Sequence, residues 1–279
     1  MNFRDHKALF ITIDVLITIA VLGMVLRLTT ASNVQTISNE TALDSIENFL
    51  QPTEKISVEK KMTADVIKKS TALEISGTFP QFTATHHSQA IRALNAYIQE
   101  SVSSEYANFI TQNLLDEHGA PIAQTTNDPD EQTMMESSFE IESLSSGFSS
   151  IFIHYYWFMT GAQHPNAFDR TLNYDLAENR AIKLSDLFLQ DSGYVKIVSR
   201  IAHTALAQRL NNNGSAFFED GATPTEENFA NFFIKDGQLV IHFSLYQVAP
   251  YSEGPQDVVI PRSAVKNILS DYGKKIIVE

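Results

Sequence analysis

Residues 150–159 read SIFIHYYWFM, and the fold turns on how this stretch is understood. Ile151, Ile153, Tyr155 and Trp157 occupy one parity, while Phe152, Tyr156 and Phe158 occupy the other. A helix would bury one stripe, and a half-exposed strand would alternate. An aromatic and β-branched run that is apolar on both parities reads as a strand covered on both faces, central in its sheet. His154, inside it, reads as a histidine satisfied on the sheet face rather than as a ligand.

Working outward toward the C-terminus, residues 171–176 alternate Leu172, Tyr174 and Leu176 with polar neighbours and turn at Glu178-Asn179-Arg180. Residues 194–210 carry Val195, Val198, Ile201, Ala205 and Leu210 at helical spacing. Residues 232–234 and 239–245 flank Lys235-Asp236-Gly237, a hairpin signal. A strand at 258–260 precedes Pro261, which suits a helix start with Val265, Ile268 and Leu269 turned inward. Toward the N-terminus, a strand is expected at 139–144 and a polar loop at 123–131. Before them runs a helix from Ser88 to about residue 115, with the stripe Ile91, Leu94, Ile98, Val102, Phe109 and Ile110. Strands at 64–67 and 72–77 come first, the second ending at Gly77. Helices interspersed with hairpins predict an α+β fold: a largely antiparallel sheet packed with two main helices, preceded by one N-terminal transmembrane helix.

That last element is residues 8–28, whose core reads ALFITIDVLITIAVLGMVL. Asp14 costs about 2.5–3.5 kcal/mol on the insertion scale, against ~4–7 kcal/mol in favour from the Leu, Ile, Val and Phe residues. Insertion therefore wins. A buried core helix would be apolar along one stripe, not around its circumference. A cleaved signal peptide with Arg4 and Lys7 as its charged region is the competing reading. Arg4 and Lys7 against Arg27 favour a short cytoplasmic tail, 1–7, with the bulk of the chain outside. Residues 29–57, rich in Thr, Ser, Asn and Glu, read as a linker.

The 279-residue chain has a formal net charge of -13 and no cysteine. Disulfides, thiolate metal sites and a cysteine nucleophile are excluded. The acidic balance opposes nucleic-acid binding, because phosphate contacts need clustered Lys and Arg, and it favours cationic partners. No GxSxG, HExxH, GxGxxG or P-loop pattern is present, so neither cofactor nor metal is expected. Two loops stand out. Gly161-Ala162-Gln163-His164-Pro165-Asn166 follows the aromatic strand, with Trp157 just before it. Tyr246 to Pro255 (YQVAPYSEGP) forms a second loop with Tyr246 and Tyr251. Trp157, Gly161, His164, Asn166, Tyr246 and Tyr251 are the candidate ligand-binding residues, since aromatic loops suit stacking on a sugar or a partner protein. Specialised turn architecture explains the same residues. Asp169 and Asp175 are the nearby carboxylates that could serve His164.

The order YYWFMTGAQHPN, TLNYDLAENRAIKLSDLF, GQLVIHFSLYQVAPYSEGPQDVVIP resembles the bacterial RsiV-like domain of unknown function. Gly161, Ala162, His164 and Pro165 match its turn; Tyr246, Ala249, Pro250, Tyr251 and Gly254 match its loop. The strand with Phe79-Pro80 and the long helix look like the PdaC-like region that precedes it in peptidoglycan deacetylases. The expected organisation is therefore a PdaC-like region at 58–165 and an RsiV-like region at 166–279. The resemblance implies a single-pass protein of the bacterial inner membrane whose outer part binds or senses peptidoglycan-related glycans or a cationic envelope protein such as lysozyme. Two departures are an inner segment too short to fold around a sigma factor and the lack of a deacetylase domain. The alternative is a cell-wall polymer hydrolase using His164 as general acid or base.

Overall fold

The computed structural model describes residues 35–36, 56–62, 73–84, 88–114, 118, 133–145, 147–210 and 219–278. The expected tail 1–7, transmembrane segment 8–28, strand 64–67, loop 123–131 and most of the linker 29–57 lie outside them. Among the described residues no helix is long and apolar enough to cross a membrane.

Seven strands form one sheet in sequence order: β1 (Gln35–Thr36), β2 (Ile56–Met62), β3 (Leu73–Ala84), β4 (Thr133–Leu144), β5 (Phe148–Phe158), β6 (Asn166–Asp175) and β7 (Arg180–Ala181). Helix α1 (Ser88–Asn113) covers one face. A second, antiparallel sheet of β8 (Phe232–Lys235), β9 (Gln238–Phe243) and β10 (Gln256–Ile260) lies against the other. Helix α2 (Tyr194–Arg209) packs on the far side of that second sheet, with short helices α3 (Arg262–Val265) and α4 (Asp271–Ile276) closing the chain.

β5 is central, as its two-sided apolar pattern requires. It pairs with β4 along one edge and β6 along the other. Ile151, Ile153 and Tyr155 enter the core under α1, and Phe152 on the opposite parity meets Phe233 and Val240 between the sheets. The turn at 165/166 joins two strands that pair from Trp157↔Asn166 to Phe148↔Asp175, so the two expected regions share one sheet.

The sheet is largely antiparallel, as expected, with one exception that makes it mixed: β3 and β4 run parallel. A parallel neighbour needs a long crossover, and α1 supplies it. The strand expected to stop at Gly77 instead continues to Ala84. Gly77 is a bend at which β3 changes partners, from β4 (Leu73↔Thr133 to Gly77↔Ser137) to β2 (Thr78↔Met62 onward). Its φ of +142° and a Cβ that would stand 2.3 Å from the Ser137 nitrogen both demand glycine. The bend is tied by buried Tyr106, whose hydroxyl lies 3.0 Å from the Ser76 carbonyl oxygen and 2.7 Å from Ser137 Oγ. Beyond it, β3 has lost β4 as a neighbour. The Asn95 side chain of α1 replaces that neighbour at Phe82, accepting from its N–H and donating to its C=O, both at 2.8 Å.

Small polar side chains join the two sheets. Ser150 Oγ accepts from the Ile234 N–H at 3.1 Å, and Asn173 Nδ2 donates to the Phe232 carbonyl at 2.7 Å. Thr171 Oγ1 accepts from the Phe232 N–H at 2.9 Å. β8 is therefore held close to β5 and β6, while β9 and β10 diverge from them and leave a groove.

Gly77→Ala is expected to destabilise the full chain by about 2–4 kcal/mol through backbone strain and the clash with Ser137, and Tyr106→Phe by about 1–2 kcal/mol through lost hydrogen bonds. Urea denaturation of both variants beside the parent chain measures this.

Candidate functional site

The groove encloses about 630 Å³ between the sheets. Strand alternation selects its walls. On β4, residues of one parity (Thr133, Met135, Ser137) point into the core, so Glu136, Ser138 and Glu140 face the groove. On β9, Leu239, Ile241 and Phe243 face α2, which leaves Val240 and His242 on the groove side. Cross-strand partners share a face, and two registers matter: His154 of β5 opposes Asp169 of β6, and His242 of β9 opposes Asp257 of β10.

These four residues form one chain of contacts. His242 Nδ1 lies 2.7 Å from Asp257 Oδ1, and His242 Nε2 lies 2.8 Å from Asp169 Oδ2. Asp169 Oδ1 is 2.9 Å from His154 Nδ1, and His154 Nε2 faces Glu140 at 3.8 Å. The Phe152 ring meets His242 edge-on at 4.7 Å and lies 4.6 Å from His154. The His242 side chain is only 5% exposed, whereas that of His154 is 41% exposed and open to the groove.

Burial alone would lower the His242 pKa, yet the hydrogen bonds to Asp169 and Asp257 and their charges overcome it and raise it to about 9. Burial likewise pushes Asp169 up, and the two histidines more than reverse this, bringing it to about 2. His154 is raised chiefly by its hydrogen bond to Asp169, against partial burial and the neighbouring His242. His242 is thus an imidazolium donating to two carboxylates, a charged brace between the sheets. Glu136, Glu140 and Glu142 add negative charge to the wall, and Lys235 is engaged by Glu142 at 2.9 Å. Among the described residues no group of His, Asp and Glu side chains is arranged to hold a metal ion.

The residues singled out in the sequence divide between two places. His164, Tyr246 and Tyr251 come together from separate loops: the His164 and Tyr251 rings are 5.1 Å apart, and those of Tyr251 and Tyr246 are 5.7 Å apart. Both tyrosines are 42% exposed. Tyr246 holds a left-handed φ of 64°, unusual for an aromatic residue. Its neighbour Gln247 fixes it by donating to the Gly221 and Asn228 carbonyls at 3.1 and 2.9 Å. Leu245 and Pro255, on the same loop, line the groove, so the aromatic cluster borders one end of it. Gly161 supplies the turn with φ +83°, and Asn166 caps the next N–H, that of Ala167, at 2.9 Å. Trp157 turns the other way and packs 5.7 Å from Phe109 of α1, outside the groove. His164 Nδ1 lies 2.8 Å from the Pro165 carbonyl, and neither Asp169 nor Asp175 serves it. Asp169 is taken by His154 and His242, and Asp175 caps a turn through the Ala177 and Glu178 N–H groups.

The brace leaves no local motif in the sequence. Its signal was symmetry about the turns: His154 and Asp169 are equidistant from the centre of one strand–turn–strand unit, as are His242 and Asp257 from that of another.

Residues 185–263 match a family model described as "Protein of unknown function (DUF3298)". Over 112 residues the chain is 31% identical to the peptidoglycan-N-acetylmuramic acid deacetylase PdaC of Bacillus subtilis, covering 40% of this chain and 24% of that protein. Over 105 residues it is 26% identical to an esterase of Mycobacterium tuberculosis, covering 38% and 45% respectively. The chain thus spans between a quarter and a half of the length of these relatives. A solved structure of a DUF3298 member from Bacteroides fragilis superimposes with a TM-score of 0.53 at 14% identity, over 78% of this chain and 95% of that one.

The raised His242 and depressed Asp169 pKa values fix a stability window. The His242 contribution is fully present below its ordinary 6.5 and is lost as pH rises through about 9. That of Asp169 is fully present above 3.8 and is lost as pH falls through about 2. Unfolding free energy is expected to be highest between about pH 4 and 6.5 and to fall by roughly 2–3 kcal/mol by pH 10. His242→Gln, which leaves two carboxylates without their cation, should cost about 3–5 kcal/mol and flatten the alkaline limb. Denaturant titrations across pH test both. The DUF3298 likeness accordingly rests on residues 185–263 and on the fold.

Proposed function

We propose that this chain is a binding module of the bacterial cell envelope, of the RsiV-like kind, whose inter-sheet groove receives a basic segment of a partner protein such as lysozyme. The observation that carries this reading is the groove wall: Glu136, Glu140 and Asp257 stand beside Asp169, and the lysine present is engaged by Glu142. Such a concave acidic surface attracts cations and raises their encounter rate. The rigid Tyr246–Tyr251–His164 cluster at its end offers apolar stacking area at low entropic cost. The formal net charge of -13 acts in the same direction at longer range. Membrane anchorage through residues 8–28, with the folded part outside the inner membrane, belongs to the same proposal. The partial likeness to a peptidoglycan deacetylase supports an envelope setting. A muropeptide, which carries carboxylates of its own, is less suited to the carboxylate wall. Among the described residues no carboxylate orients His164, which is exposed and bonded to its neighbour's carbonyl, as a general base requires.

Surface plasmon resonance with the full chain tests this against lysozyme and against soluble muropeptides. Lysozyme is expected to bind, with affinity falling at least tenfold between about 50 and 500 mM salt. The double variant Glu136→Gln/Glu140→Gln should weaken it by roughly five- to tenfold. Salt-insensitive muropeptide binding that is lost in Tyr251→Ala would move the site to the aromatic cluster. Absence of binding to either ligand would end the proposal.

A further inference from the structure

The groove holds a second arrangement, independent of its charge. Ser138 of β4 directly opposes His154 of β5, which directly opposes Asp169 of β6. Partners in register share a face with Cβ atoms about 4.5–5.5 Å apart, and all three residues line the same groove. A hydroxyl, an imidazole and a carboxylate therefore stand in one row across three strands. The order of roles is chemically correct. Asp169 binds His154 through Nδ1 at 2.9 Å, which leaves Nε2 on the β4 side, where Ser138 and Glu140 stand. Asp169 is itself nearly buried and fixed by His242 at 2.8 Å, so it is an anchored orienter. Ser138 is exposed to the groove.

We infer that Ser138, His154 and Asp169 form a nucleophilic triad able to hydrolyse O-acyl esters of neutral or cationic alcohols. The Ser138 oxygen adds to the acyl carbon while His154 Nε2 takes its proton. The C–O bond to the alcohol breaks, and the leaving oxygen receives that proton. Water then adds to the acyl-serine with His154 again accepting a proton, and the carboxylic acid departs as Ser138 recovers its own. Asp169 keeps the imidazole in the tautomer and orientation that present Nε2 to the serine. The glutamates around Ser138 disfavour anionic substrates, which sets the substrate class. Glu140, 3.8 Å from Nε2, competes with Ser138 for the same nitrogen.

The test uses the full chain with p-nitrophenyl acetate and with a fluorophosphonate probe. Expected are turnover above buffer and a single phosphonylated peptide containing Ser138, identified by mass spectrometry. Ser138→Ala should remove the label and lower turnover at least a hundredfold; this exposed residue leaves the fold intact, as circular dichroism would verify. Glu140→Gln should raise turnover severalfold by freeing Nε2, a change that a purely structural His154 would not produce. A chain that neither turns over ester nor takes the probe overturns the triad, as does a Ser138→Ala variant with parental activity. Lysozyme binding is read separately, so the two proposals fail independently.

Discussion

Asp169 takes His242 on one carboxylate oxygen at 2.8 Å and His154 on the other at 2.9 Å, and His242 reaches on to Asp257 at 2.7 Å. Taking these charges from water is costly, and only mutual pairing offsets it. The consequence is geometric. His242 belongs to the second sheet and Asp169 to the first, so the charged contact sets their separation where the backbone strands have already diverged. The Ser150, Asn173 and Thr171 contacts hold the sheets together at β8. Between that seam and the charged brace the groove acquires a fixed width, and Phe152 fills the space beneath the two rings.

The same carboxylate links stability to the proposed binding groove. It orients His154, whose Nε2 faces Glu140 across the groove, and it lies beside the glutamates that make the groove acidic. Ser138, Glu140, His154 and Asp169 precede the segment that matches DUF3298, whereas His242 and Asp257 lie inside it. The site is therefore shared by the two halves of the chain. A likeness confined to either half transfers only part of it.

Much of the architecture is legible in the sequence because it depends on local periodicity. The two-sided apolar run of β5, the stripe of α1 and the Asp236-Gly237 turn, with φ of 50° and 74°, each declare themselves within a few residues. The parallel β3–β4 pair is not legible, since strand direction depends on a crossover and leaves no mark on either strand. Gly77 was ambiguous for a physical reason: a glycine that ends a strand and one that bends it look alike until the tertiary partner, here Ser137, is known. His164, Tyr246 and Tyr251 lie on two loops far apart in the sequence, and only the fold brings their rings together. The His–Asp brace is not legible because each histidine, considered alone, resembles an ordinary sheet residue; only the strand registers set carboxylates opposite them.

The most direct measurement of the central claim is the NMR titration of the histidine side chains in the full chain, assigned by His154→Gln and His242→Gln variants. His242 is expected to stay protonated through neutral pH and to titrate at about 9, and His154 to titrate above its ordinary 6.5. A His242 that loses its proton near or below 6.5 would mean that it is not an imidazolium clasped by Asp169 and Asp257, and would contradict the charged brace on which the groove depends.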